Sequence, residues 1–333
     1  MERTPTEEML RFGAEALLAR LEALVQEAEG VRKAEEIECV HRMRVASRRL
    51  RSALTLFADC LPPKRQVEWR RQIRRITRAL GAARDTDVQV AFLETFAAGL
   101  TNPAHRPGIH RLLLRLRQRR QMLQPPVLAA LDHLEKSRTL DRMAQTLRRL
   151  VARVPGSQSP TASPALLDQA YLATSRRLEE MLAYRPYVSQ PERVAELHAL
   201  RIAAKRLRYT MEVFAPLYDG ALKPPLQVVR KVQELLGEIH DCDVWEQFLP
   251  RFLEEERQRT EEYFGHTRAL RRLLPGLLYL QQERQRAREE RYREFVTFWS
   301  ELEAQGAWST LEHTLSTGAP ALADEGRGAG EGG

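Results

Sequence analysis

Val40-His41-Arg42-Met43-Arg44-Val45-Ala46-Ser47-Arg48-Arg49-Leu50-Arg51 is written a second time, 157 residues later, as Leu197-His198-Ala199-Leu200-Arg201-Ile202-Ala203-Ala204-Lys205-Arg206-Leu207-Arg208. Histidine, Arg, Arg/Lys, Arg/Lys and Arg recur at relative positions 0, +3, +7, +8 and +10. At about 100° per residue, Arg44, Arg48 and Arg51 fall within about 80° of His41, and Met43, Ala46, Leu50, Ala53 and Phe57 gather opposite them. The spacing predicts a helix with one core face and one cationic face. At ~1.5 Å per residue the cationic face is about 15 Å long, with Arg49 standing to one side.

A merely solvated helix face mixes acids with bases at i,i+4. No acid lies between Val40 and Ala58, so these cations repel one another unless an anion sits among them. Arginine dominates the ladder, and its planar fork bonds two oxygens of one phosphate. The pattern points to a long, negatively charged guest.

The repeat continues outward. Phe57 matches Phe214, and Arg74 to Val88 matches Arg230 to Val244 at an offset of 156. Each half reads as ladder helix, proline turn, second basic helix, a Leu-Gly turn with two aspartates, then more helices. The second basic helix carries Arg70, Arg71, Arg74, Arg75 and Arg78, of which Arg71, Arg74, Arg75 and Arg78 form a second stripe. Its counterpart keeps Arg230 and Lys231, but Glu234 stands where the first half has Arg78, and Glu212 lies on the second ladder face. The anion site is therefore expected to be stronger in the first half. A third basic run, Arg111, Arg115, Arg117, Arg119 and Arg120, has two open readings: an extension of the anion surface, or a solvated face.

Length and composition set the frame. A chain of 333 residues exceeds the usual single core, and 43% hydrophobic residues suffice to fill one or two. Leu, Ala, Arg, Glu and Gln dominate and β-branched alternation is nearly absent, which predicts helix throughout. Thirteen Lys/Arg face two acids between Val40 and Arg84, a local +11, so the remainder carries −3 of the total +8. The positive charge is a patch, as a polyanionic partner requires. Cys39, Cys60 and Cys242 form no C-x-x-C and no disulfide framework, no secretory leader is apparent, and no apolar run is long enough to span a membrane. A cytoplasmic protein is expected.

Breakers place the boundaries. Pro62-Pro63 follows the first ladder, Pro224-Pro225 the second, and Pro125-Pro126 is expected to break the first half. The Pro/Ser-rich run from Val154 reads as a linker. The expected organisation is a first helical half over 1–153, a linker over 154–165, a second half over 166–317 and a disordered tail over 318–333.

His41 and His198 hold equivalent places, and cations beside each are expected to lower its pKa until an anion arrives. Asp85/Asp87 and Asp241/Asp243 have two readings. They could share Mg²⁺ with phosphates, as phosphoryl-transfer sites do. Alternatively one caps the next helix and the other pairs with an arginine, which a position just past a Leu-Gly turn favours.

With these motifs the chain resembles the CHAD family, the conserved histidine α-helical domain. The match rests on His41-x-x-Arg44-x-x-x-Arg48-Arg49-x-Arg51 with Phe57, on Leu80-Gly81-x-x-Arg84-Asp85-x-Asp87-Val88, and on the second-half versions through Gln233-Glu234-Leu235-Leu236-Gly237-x-x-His240-Asp241-x-Asp243-Val244. The resemblance implies two helical bundles about a pseudo-twofold axis, binding of inorganic polyphosphate and association with polyphosphate granules. The binding residues it implies are His41, Arg44, Arg48, Arg49, Arg51, Arg74, Arg75, His198, Arg201, Lys205, Arg206, Arg208, Arg230 and Lys231, to which the stripe adds Arg71 and Arg78. Family members are often fused to a triphosphate-tunnel enzyme domain. Its Glu-x-Glu-x-Lys signature is absent from this sequence, so a stand-alone module is expected.

The expectation is thus an all-α, non-enzymatic polyphosphate-binding protein without cofactor or metal. Two alternatives stand beside it: a nucleic-acid binder, disfavoured because neither ladder face carries an aromatic for base stacking, and a Mg-dependent polyphosphate-processing enzyme using the paired aspartates.

Overall fold

The computed structural model describes residues 6–33, 37–153 and 163–317. Eleven α-helices occur there and no strand: α1 (Glu7–Gln26), α2 (Ala28–Lys33), α3 (Ile37–Leu56), α4 (Pro63–Ala98), α5 (Arg106–Lys136), α6 (Thr139–Arg153), α7 (Pro164–Leu182), α8 (Val194–Phe214), α9 (Lys223–Phe264), α10 (Leu274–Ala304) and α11 (Ala307–Thr317). The all-α expectation holds. Both ladders are single helices, α3 and α8. No helix among the described residues is long and apolar enough to cross a membrane.

The proline pairs that follow the ladders act as helix starters. Pro63 opens α4 and Pro224-Pro225 lie in the first turn of α9, where a missing N–H removes no intrahelical bond. Ser163 caps α7 by accepting from the Leu166 N–H at 3.2 Å. The linker expected over 154–165 lies largely outside the described residues, its last two residues opening α7; the expected tail lies wholly outside them.

Three expected breaks are not breaks. Pro125 and Pro126 lie inside α5, which runs on to Lys136. An internal proline costs ~3 kcal/mol or more. Leu112, Leu113 and Leu116 before it and Val127, Leu131 and Leu134 after it are buried in two separate apolar clusters, which holds both arms in place. The two Leu-Gly turns are also helix interior, because α4 runs from Pro63 to Ala98 and α9 from Lys223 to Phe264 without interruption. Gly81 and Gly237 mark helix crossings: a Cβ on either would stand 3.8 or 3.7 Å from Nε of Arg44 or Arg201. A ladder arginine lies across the neighbouring helix at each, and a Cβ there would make only ordinary contact.

α3 packs on α4 and α8 on α9, and the ladder helices α3 and α8 also touch each other. Phe57 and Phe214, counterparts in sequence, meet edge-on at 6.1 Å, and Phe12 of α1 stacks on Phe214 at 5.8 Å. All three sit in one large apolar cluster to which both halves contribute. A second cluster joins the ends of α4, α5, α9 and α10, including Leu93, Ile109, Trp245 and Leu277.

There α5 and α10 interlock through glycine. A Cβ on Gly108 would collide with the Leu273 carbonyl, and one on Gly276 with the His105 carbonyl. Backbone cannot swing aside as a side chain can, so Gly276→Ala should lower stability by about 2 kcal/mol. Gly99→Ala is the control: its Cβ meets ordinary contacts at 3.7 Å or more, and φ is −84°. Urea midpoints of both variants measure the difference, and equal midpoints would contradict the interlock.

Candidate anion-binding site

The ladders lie side by side with counterparts facing. Arg201 is within electrostatic reach of Arg44, and Lys205 of Arg48, just as Phe57 meets Phe214. Cations that repel within one helix are therefore crowded again by the second. Burial, then the neighbouring guanidinium groups, bring the Lys205 ammonium down to about 6. Burial also lowers Arg48, Arg51 and Arg201 from the ordinary arginine value.

On one flank of this seam a groove of about 850 Å³ opens between α3, α4, α7 and α8. Its walls carry Arg48 and Arg51 of α3, Arg70, Arg71 and Arg74 of α4, Arg177 of α7, and Lys205 and Arg206 of α8, with no Asp or Glu. Arg177 is paired with Glu180. The other seven have no carboxylate partner among the described residues. Ser52 and Thr55 add hydroxyls to the wall, one and two turns on from Arg48.

The flank built from the second-half counterparts keeps fewer cations, with Leu226 and Gln227 where Arg70 and Arg71 stand, and it holds an acid among them. Glu212, the sequence counterpart of Thr55, accepts from Arg208 at 2.9 Å and lies 3.2 Å from Arg49 and 3.8 Å from Arg230. Arg208 also donates to Gln233 at 2.8 Å, and Lys231 pairs with Glu294 at 3.3 Å. A glutamate in place of a threonine thus answers Arg49, Arg208 and Arg230 together on the second flank.

At the start of the ladders each histidine faces the second basic helix. His198 Nδ1 lies 3.1 Å from His240 Nδ1, and His41 is near Arg84, the counterpart of His240. Desolvation, then the arginine neighbours, lower both ladder histidines, as expected from the sequence. His240 falls to about 4, first by burial and then by Arg201 and His198. At neutral pH the His198–His240 contact is therefore between uncharged rings, one nitrogen donating and the other accepting.

Sequence reasoning placed sixteen residues at the site. The structure brings Arg48, Arg51, Arg71, Arg74, Lys205 and Arg206 into one open groove. Arg44 and Arg201 lie deeper along the seam, Arg44 bonded to Asp85 at 2.9 Å. Arg49, Arg208, Arg230 and Lys231 are held by internal acids, while Arg75 and Arg78 are exposed on α4 outside the groove lining. Arg177 and Tyr209 were missed; the sequence signal for them was weak, since α7 carries no ladder and Tyr209 adjoins one. Tyr209 corrects the expectation that neither ladder face carries an aromatic.

The aspartates neither cap a helix nor pair with each other. Residues two apart on a helix point about 200° apart, so one metal cannot take both carboxylates of a pair. Asp87 is buried and accepts from Arg120 of α5 at 2.6 Å; Asp243 is buried and accepts from Arg288 of α10. The arginine-pairing half of the expectation holds, and the capping half falls with the turn. The third basic run resolves likewise: Arg111 and Arg115 reach the fully buried Glu256, and Arg117 reaches Glu94.

Comparison with known proteins adds independent findings. The CHAD domain profile matches residues 15–250. The chain is 28% identical over 251 residues to the uncharacterized proteins MT2285 and Rv2226 of Mycobacterium tuberculosis, covering 75% of this chain and 45% of each relative. Among solved structures, the CHAD domain from the plant Ricinus communis superposes with a TM-score of 0.57 at 23% identity, covering 93% of this chain and 92% of that one. PptA from Streptomyces chartreusis superposes at 0.58 with 15% identity, covering 89% of this chain and 99% of that one. At these identities both likenesses speak for the fold.

Proposed function

The chain belongs to the CHAD family, and we propose that it holds inorganic polyphosphate in the groove between α3, α4 and α8. One observation carries this reading: seven basic side chains line a single groove with no acid on its walls and no carboxylate partner among the described residues. Such crowding costs stability in the empty protein, and a polyanion relieves it. Guanidinium forks from three helices can each take phosphate oxygens, and repeating phosphates along one chain match cations spaced about one helical turn apart. Arg44, Arg201, His41 and His198 continue the cationic seam beyond the groove.

The same reading takes the two halves, 1–153 and 166–317, as bundles about a pseudo-twofold axis along α3 and α8. Counterpart residues meeting along both ladders support it. Granule association in the cytoplasm is part of the proposal. Catalysis is not, because Asp87 and Asp243 serve as partners of Arg120 and Arg288.

Nucleic acid is the competing guest. Tyr209, the aromatic on the groove wall, is 8% exposed, and the Arg208 guanidinium lies 4.8 Å over its ring. A base has no open face there on which to stack. In competition at equal charge concentration, polyphosphate should displace single-stranded DNA and RNA. Stronger retention of either nucleic acid would replace the proposal.

A further inference from the structure

Lys205 is one of six lysines in the chain, and its surroundings set it apart. Lys33 and Lys231 lie near Glu29 and Glu294, and Lys64, Lys136 and Lys223 are exposed. Lys205 is half-buried on the groove wall, with Arg44, Arg48, Arg201 and Arg208 in electrostatic reach and no carboxylate partner among the described residues. A lysine desolvated among cations gives up its proton readily. With its value at about 6, it is mostly the free amine at neutral pH. Arg51, Arg71 and Arg74 share its groove, so an electrophile bearing a phosphate would be collected beside a nucleophile.

We propose that Lys205 is a modification site for acyl phosphates, the mixed anhydrides of carboxylic and phosphoric acids, which dock by their phosphate on the groove arginines. The Nζ lone pair attacks the carbonyl carbon and an N–C bond forms. The carbon–oxygen bond to phosphate breaks, and inorganic phosphate leaves with the electron pair. The proton left on nitrogen passes to solvent, and nothing is oxidised or reduced. The product is a neutral amide that cannot regain the charge a bound polyanion favours, so acylation weakens the groove. The inference rests on the anion-binding character of the groove and holds whichever polyanion the groove takes.

The test is incubation of the full chain with acetyl phosphate, followed by peptide mapping of all six lysines. Lys205 should be acetylated at least about tenfold faster than Lys64 or Lys223, the advantage of a free amine at neutral pH. Its rate should level off above about pH 7, where the free amine already predominates. Arg71→Ala with Arg74→Ala should slow Lys205 acetylation at least about fivefold, a smaller loss than two full charge-assisted bonds would give. Acetylation spread evenly over the six lysines would overturn the proposal, and Lys205 selectivity untouched by the double variant would overturn the docking step. Both readouts are made without polyphosphate, so they are independent of whether polyphosphate binds.

Discussion

Arg51→Ala, Arg71→Ala and Arg74→Ala combined lower polyphosphate affinity by two to three orders of magnitude, at about 1 to 1.5 kcal/mol for each charge-assisted contact. All three side chains are exposed, line the groove and have no carboxylate partner among the described residues. Their loss removes no internal bond, so thermal stability should hold or rise as like charges are thinned. Arg230→Ala with Lys231→Ala should cost far less affinity, because these cations already answer Glu212 and Glu294. Titration calorimetry on both variants measures the contrast. Equal losses would mean that the guest does not choose the acid-free flank.

Glu212→Thr, which installs the residue of the first half, should do the opposite. Glu212 is 14% exposed at its side chain and serves Arg49, Arg208 and Arg230 together. Without it those cations face one another uncompensated, and the empty protein should lose about 2 kcal/mol. Polyphosphate should restore that loss. Arg49, Arg208 and Arg230 would then be open to a guest, so the variant should bind polyphosphate more tightly or in greater amount. A variant that is destabilised but gains no binding would show that Glu212 serves the fold without screening a second groove.

These effects trace back to what the sequence could and could not express. The ladders were legible because both requirements act locally: apolar residues at helical spacing on one side, and cations without acids on the other. Their convergence was legible only through the repeat, since Phe57 matching Phe214 anticipates that counterparts meet. The glycines misled. Leu80-Gly81 and Leu236-Gly237 have the composition of a turn, yet both lie inside continuous helices whose packing holds them straight. Once the turn is gone, the aspartates lose their capping role and fall on opposite faces of one helix. Arg49, Arg208 and Arg230 belonged to the pattern, and Glu212 was visible on the second ladder face, but its reach across to Arg49 and Arg230 was not. Charge pattern marks which residues are basic; only packing tells which basic residues remain uncompensated. Arg177, contributed by a helix without any ladder, shows the same limit from the other side.

The most direct test is a titration of the unmodified protein with polyphosphate of defined length at two salt concentrations. A guest held by the groove's six uncompensated arginines displaces counterions. Taking ~0.7 per contact, as for single-stranded polyanions, the logarithm of affinity should fall against the logarithm of salt with a slope of about −4 or steeper. Absence of binding at low salt, or a slope shallower than about −1, would contradict the central claim that this groove is built around a polyanion.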